Sequence, residues 1–149
     1  MKSGDVVEYM RHGAYHLGVV EGEPERKFVA LRTEAGETRR ISRKDVTFVC
    51  APARGESYAG LVSELERRVA EVDLDALWTH ALAVHAPFTP EELAEVQYGE
   101  AAEPLDALAI QRAARAEGIL FKVRRDYTLM PRDVAYVRSK RETDEVRAE

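Results

Sequence analysis

The chain has 149 residues, 45 % hydrophobic and 33 % charged, enough apolar content for a core, and no apolar run approaches the roughly 20 residues that span a bilayer. A single cysteine, Cys50, excludes an internal disulfide partner and a multi-thiolate zinc site, and the opening MKSGDVVEYM lacks the apolar stretch of a signal peptide, which points to the cytoplasm. The net charge of −5 has the wrong sign for an autonomous nucleic-acid binder, so any affinity for phosphate must come from an uneven distribution of charge.

Residues 1–50 read as short strands separated by turns. DVVEYM, AYHLGVV, KFVALRT, ETRRIS and VTFV are punctuated by Arg11-His12-Gly13, Gly22-Glu23-Pro24, Glu34-Ala35-Gly36 and Arg43-Lys44-Asp45. Strands this short leave exposed edges in an open sheet, and curling into a small barrel removes them. The expectation for 1–50 is an SH3-like β-barrel. Residues 51–60, APARGESYAG, have no periodicity and read as a linker.

From residue 61 the period changes from two to 3.6. Leu61, Leu65, Val69 and Val72 form one stripe of a linker helix. Asp73 or Asp75 caps a second helix, ALWTHALAVHA, which should bury Leu77, Ala81 and Val84 and place Trp78 in the core. Thr89-Pro90-Glu91-Glu92 opens another helix with a cap, a proline at the first helical position and acids at the positive end of the dipole, and Gly99 stops it. Pro104 opens a helix to Glu117 with Ala107, Ile110 and Ala114 inward and Gln111, Arg112 and Arg115 outward. Gly118 supplies a left-handed exit, and ILFKV and YTLMP then pair across Arg125-Asp126. Helices followed by a hairpin are the order of a winged helix, with the hairpin as wing and the 104–117 helix as candidate reading helix. The fold class expected is therefore α+β: barrel 1–50, linker 51–60, winged helix-turn-helix domain 61–138 and a charged tail 139–149.

Charge is distributed to match. Residues 76–104 hold five acids and no Lys or Arg, whereas 105–139 hold seven bases against four acids. Arg112 and Arg115 lie three apart and share a helical face, and Lys122, Arg124 and Arg125 lie on or beside the hairpin. With Gln111 these are the candidate nucleic-acid-binding residues. Contacts of this kind follow a phosphate backbone and select little among sequences.

No catalytic constellation stands out. His80 and His85 lie about 140° apart around one helix at 100° per residue, too far round to share a metal. His12 and His16 sit on a turn and a strand. The carboxylates are scattered, with no dense aspartate cluster of the kind that holds Mg²⁺ for phosphodiester hydrolysis. Phosphate-cradling GxGxxG and GxxxxGK loops are absent. The chain by itself is expected to be no enzyme and to need no cofactor. Phe121, Tyr127 and Tyr136 stand near the bases, and packing is the simpler role for them.

The GDVVEY opening, the FTPEELAEVQYGE helix start and the EGILFK exit, in this order, resemble the N-terminal region of ribonuclease II-type exoribonucleases, the RNB family, of deinococcal, cyanobacterial and plastid type. The resemblance spans residues 2 to about 139. In that family a small barrel and a winged helix precede a catalytic domain that hydrolyses RNA from the 3′ end using an aspartate cluster and Mg²⁺. No position here matches that cluster, so no catalytic residue carries over. The resemblance implies an accessory module that guides single-stranded RNA to a catalytic RNB domain, binding weakly alone and gaining effective concentration by tethering. Two other classes stay open: a stand-alone winged-helix DNA-binding regulator, which would need a dimer to read two half-sites, and a protein-interaction module.

Overall fold

The strands expected from the N-terminal turn punctuation form. In the computed structural model, which describes residues 1–52 and 58–148, β1 (Asp5–Arg11), β2 (Ala14–Val20), β3 (Phe28–Arg32), β4 (Thr38–Ser42) and β5 (Val46–Pro52) make one antiparallel sheet in the order β4-β3-β2-β1-β5. The β1–β2 hairpin closes across His12 and Gly13, whose φ of 51° and 75° are both positive. A two-residue turn with two positive φ angles matches strand twist, and glycine at the second position makes it affordable.

On one face of this sheet Val7, Tyr9, Val20, Val29, Leu31 and Ile41 form a buried cluster, with Val46 packed against it. In β3 the inward phase is therefore Val29 and Leu31. Phe28 stays half-buried with the Arg40 guanidinium 3.9 Å from its ring centroid. Gly18 lies on the inward face opposite Val7, where a Cβ would come within 3.1 Å of Leu31 Cβ and 3.3 Å of Tyr9 Cε1. The β1–β5 register shifts twice, between Asp5 and Val7 and between Glu8 and Tyr9, and such irregularities bend a strand. Glu8 is fully buried, and its carboxylate accepts a hydrogen bond of 2.8 Å from the Thr47 hydroxyl on β5.

Contacts divide the chain into two units, Met1–Glu66 and Arg67–Glu149. The boundary falls inside α1 (Tyr58–Glu71). β5 reaches Pro52 and α1 starts at Tyr58; the remainder of the linker expected at 51–60, residues 53–57, lies outside the described residues. The second unit continues with α2 (Leu74–Val84), α3 (Pro90–Tyr98), α4 (Pro104–Glu117), the hairpin β6 (Phe121–Val123) and β7 (Leu129–Pro131), and α5 (Val134–Ala148). The charged stretch from Ser139 is thus helical as the continuation of α5.

The local signals of the second unit act as their chemistry requires. Asp73 caps α2 by accepting from the Ala76 N–H. Thr89 and Glu92 form a reciprocal capping box at α3, with Pro90 in the first turn. Gly118, at φ 74°, ends α4 in the left-handed conformation. Leu77, Ala81, Leu93, Ala107, Leu108 and Ile110 are all buried. Val84, expected on the same buried stripe as Leu77 and Ala81, is instead 54 % exposed. It is the last residue of α2, and His85 at φ 54° turns the chain away there, so the buried stripe stops one turn early. No helix among the described residues is long and apolar enough to cross a membrane.

Candidate nucleic-acid interface

The hairpin that follows α4 is built from a buried face and a charged face. Phe121 and Leu129 are buried, while Lys122, between Phe121 and Val123 on β6, points to solvent. The turn runs from Arg124 to Thr128 and is closed by the Arg124 N–H on the Thr128 carbonyl at 2.9 Å and the Tyr127 N–H on the Arg124 carbonyl at 2.9 Å. Tyr127 takes a left-handed φ of 64°. Asp126 accepts from both the backbone N–H and the hydroxyl of Thr128, and these hydrogen bonds hold its carboxyl below the usual carboxylate range. The Asn-Gly signal missing from the turn is replaced by this aspartate-centred turn.

Phe88, between α2 and α3, extends the hairpin. Its N–H donates to the Leu129 carbonyl at 3.0 Å and its carbonyl accepts from the Leu129 N–H at 2.8 Å. The hairpin root is fixed on the α4 side as well. Glu117 Oε1 accepts from the N–H groups of Ile119 and Leu120, at 2.6 and 2.8 Å. A carboxylate already engaged by two backbone donors is poorly placed to neutralise the hairpin bases. Lys122, Arg124 and Arg125 make no ion pair within 4.0 Å with any described residue, while Arg124 acts electrostatically on the Asp126 carboxylate of the same turn.

The candidate residues on α4 divide. Arg112 and Arg115 sit half-buried on one strip. Gln111 does not face out: it is completely buried, which corrects its placement among the nucleic-acid-binding residues. The spacing holds the reason. Gln111 is four residues after Ala107 and three before Ala114, and so belongs to the inward stripe those residues define. Packing by α3, α2 and β6 buries most of the α4 circumference, leaving residues 106–111, 113 and 114 out of solvent. A helix so covered offers little surface to a nucleic-acid groove. Among the aromatics, Phe121 is core, and Tyr136 accepts a hydrogen bond from Arg132, whose guanidinium lies 4.5 Å from the ring centroid. Trp78 is half-buried and its indole N–H donates to the Arg132 carbonyl at 2.8 Å.

The buried Gln111 amide has no hydrogen-bond partner at either Oε1 or Nε2 among the described residues. An unmet amide in an apolar interior costs about 1–3 kcal/mol. Replacing Gln111 by Met, which keeps the shape and removes the polar atoms, is expected to raise stability by about 1 kcal/mol or more. Urea unfolding at unchanged slope measures it, and a loss of stability would show that the amide is satisfied in solution.

Among the described residues no group of three or more His, Cys, Asp or Glu is placed to hold a metal ion. Comparison with protein-family models, with curated proteins and with solved structures finds no match to this chain.

Proposed function

We propose that the chain is an accessory nucleic-acid-guiding module of the cytoplasm, which steers single-stranded RNA toward a ribonuclease II-type 3′→5′ exoribonuclease domain and carries out no catalysis itself. The observation that carries the nucleic-acid reading is the hairpin: three exposed cations, Lys122, Arg124 and Arg125, on a short turn braced at both ends. Cations of this kind neutralise phosphate and release counterions, which is where affinity for a nucleic-acid backbone originates.

Two features of the fold support the same reading. The order α2, α3, α4, β6, β7, with Phe88 bridged to Leu129 beside the two-stranded hairpin, fits a winged helix. A five-stranded meander whose last strand returns to pair with the first, with a 3-10 turn at Arg43–Asp45 between β4 and β5, fits an SH3-like barrel. The burial of α4 argues against the stand-alone DNA-binding regulator, because that function inserts this helix into a major groove. Weak binding through the hairpin suits a module that works when tethered.

The test replaces Lys122, Arg124 and Arg125 together by Ala and titrates parent and variant with single-stranded RNA at two salt concentrations. The variant is expected to bind more weakly across all sequences, and to lose about 0.7 of a unit of salt slope per phosphate contact removed, about two units for three contacts. Equal affinities and equal slopes in parent and variant would remove the hairpin, and with it the RNA-guiding reading.

A further inference from the structure

The first unit contains a cleft that the strand order alone would not place. It has a volume of about 450 Å³ and lies at the end of the inward face of the sheet, where Tyr9, Arg11, His12, His16, Glu34 and Arg39 line it. Arg11 is on β1 and Arg39 on β4, with β2 and β3 between them in the sheet. They reach the same cleft because the sheet curls. Alternation puts both side chains inward: Arg11 follows Val7 and Tyr9 at period two, and Arg39 pairs with Leu31 two residues before the buried Ile41.

The chemistry of the lining is mixed in a particular way. Two guanidiniums and two imidazoles face one carboxylate, Glu34. Arg11 has no ion-pair partner among the described residues, and Arg39 has only the exposed Glu37 at 3.5 Å. Tyr9 and His16 pair across β1 and β2 with ring centroids 5.5 Å apart and planes tilted by 31°. A second hollow of about 330 Å³ adjoins the first, sharing Arg11 and Arg39 and adding the exposed Met10, the carboxylate of Asp45 and Arg40, which is paired with Glu25 at 2.7 Å. The two arginines thus stand where one hollow meets the next.

We propose that this cleft binds a nucleoside phosphate, with the phosphate held by Arg11 and Arg39 and the base set against the exposed His16 ring, which the buried Tyr9 ring backs. Guanidinium forks match phosphate oxygens, and flat rings accept any base by stacking. The volume lies within the range of small-ligand pockets and suits a single nucleotide. The adjoining hollow takes the next unit of a strand, so a short single strand is bound more tightly than a free nucleotide. The site lies wholly in the first unit and does not depend on the hairpin reading.

The experiment records amide correlation spectra of the full chain during titration with adenosine monophosphate, with an oligoriboadenylate hexamer, and with inorganic phosphate. Tyr9, Arg11, His16 and Arg39 are expected to shift with both nucleotide probes, at lower concentration for the hexamer. The double variant R11Q/R39Q is expected to weaken both by about tenfold or more, as the loss of charge-assisted hydrogen bonds requires. The hairpin variant lacking Lys122, Arg124 and Arg125 should keep its affinity for the mononucleotide, which separates this site from the hairpin. The proposal falls if neither nucleotide probe moves those four residues, if inorganic phosphate binds as well as the mononucleotide, or if folded R11Q/R39Q binds undiminished. The spectra of the parent chain decide the matter if the double variant does not fold.

Discussion

Replacing Arg68 by Met is expected to destabilise the second unit by about 3 kcal/mol or more, because it strands a buried carboxylate. The Arg68 side chain, on α1, is 14 % exposed, and its Nη1 lies 3.2 Å from Oδ1 of Asp106, which is 9 % exposed. Asp106 sits at the third position of α4, where its other oxygen accepts from the Glu103 N–H at 2.9 Å. The pair therefore joins α1 to the start of α4 in a place shielded from water. Methionine keeps the aliphatic stem and its packing while removing the charge, so the loss reports the contacts of the guanidinium with Asp106 and, at 3.5 Å, with the exposed Glu103. Burial, and then the carboxylates of Asp106 and Glu71, raise the Tyr98 phenol above its ordinary value, while Arg68 and Arg67 oppose them. Asp106→Asn keeps a side-chain oxygen for the helix cap and completes a double-mutant cycle. Denaturant unfolding measures each arm. A cost for Arg68→Met below about 0.5 kcal/mol would place the pair with ordinary surface ion pairs and refute a buried role.

Leu31→Ala should cost the first unit about 3 kcal/mol, within the range of about 2–5 kcal/mol for emptying a fully buried leucine site. Leu31 is 0 % exposed and packs in one buried cluster with Val7, Tyr9, Val20, Val29 and Ile41. Its Cβ and Cδ1 lie beside Gly18, where there is no side chain to move into the space. Where the close-packed neighbours relax only in part, the cavity term stays large. Native-state hydrogen exchange reads the result by position. Amides of β1 to β5 should lose protection, while those of α3 and α4, around Leu93 and Leu108, keep theirs. Loss of protection across both sets to the same degree would mean that the two units unfold as one.

Much of the secondary structure was legible in the residues, because its determinants act over four residues or fewer. Thr89, Pro90 and Glu92 make a helix start by themselves, and Gly118 ends α4 because it alone takes φ 74° without a steric cost. His12-Gly13 closes a hairpin for the same kind of reason. The hairpin bases Lys122, Arg124 and Arg125 were also visible, since a base on or beside a two-stranded turn has little choice but to meet water.

Burial and side-chain partnership depended on segments far apart in the chain. Gln111 looked like an outward polar residue, and the packing of α2, α3 and β6 around α4 made it interior. Its spacing from Ala107 and Ala114 carried that signal, but residue type outweighed it. Val84 fitted the apolar stripe of α2 and is exposed, because a stripe is buried only where another element covers it. Arg68 and Asp106 are 38 positions apart by number, and Glu8 and Thr47 meet at a separation of 39. Arg11 and Arg39 share a cleft only because the sheet curls across two intervening strands. Periodicity assigns each residue a face, and tertiary packing then decides what that face meets, since the free energy of burial belongs to the pair of surfaces and not to either segment alone.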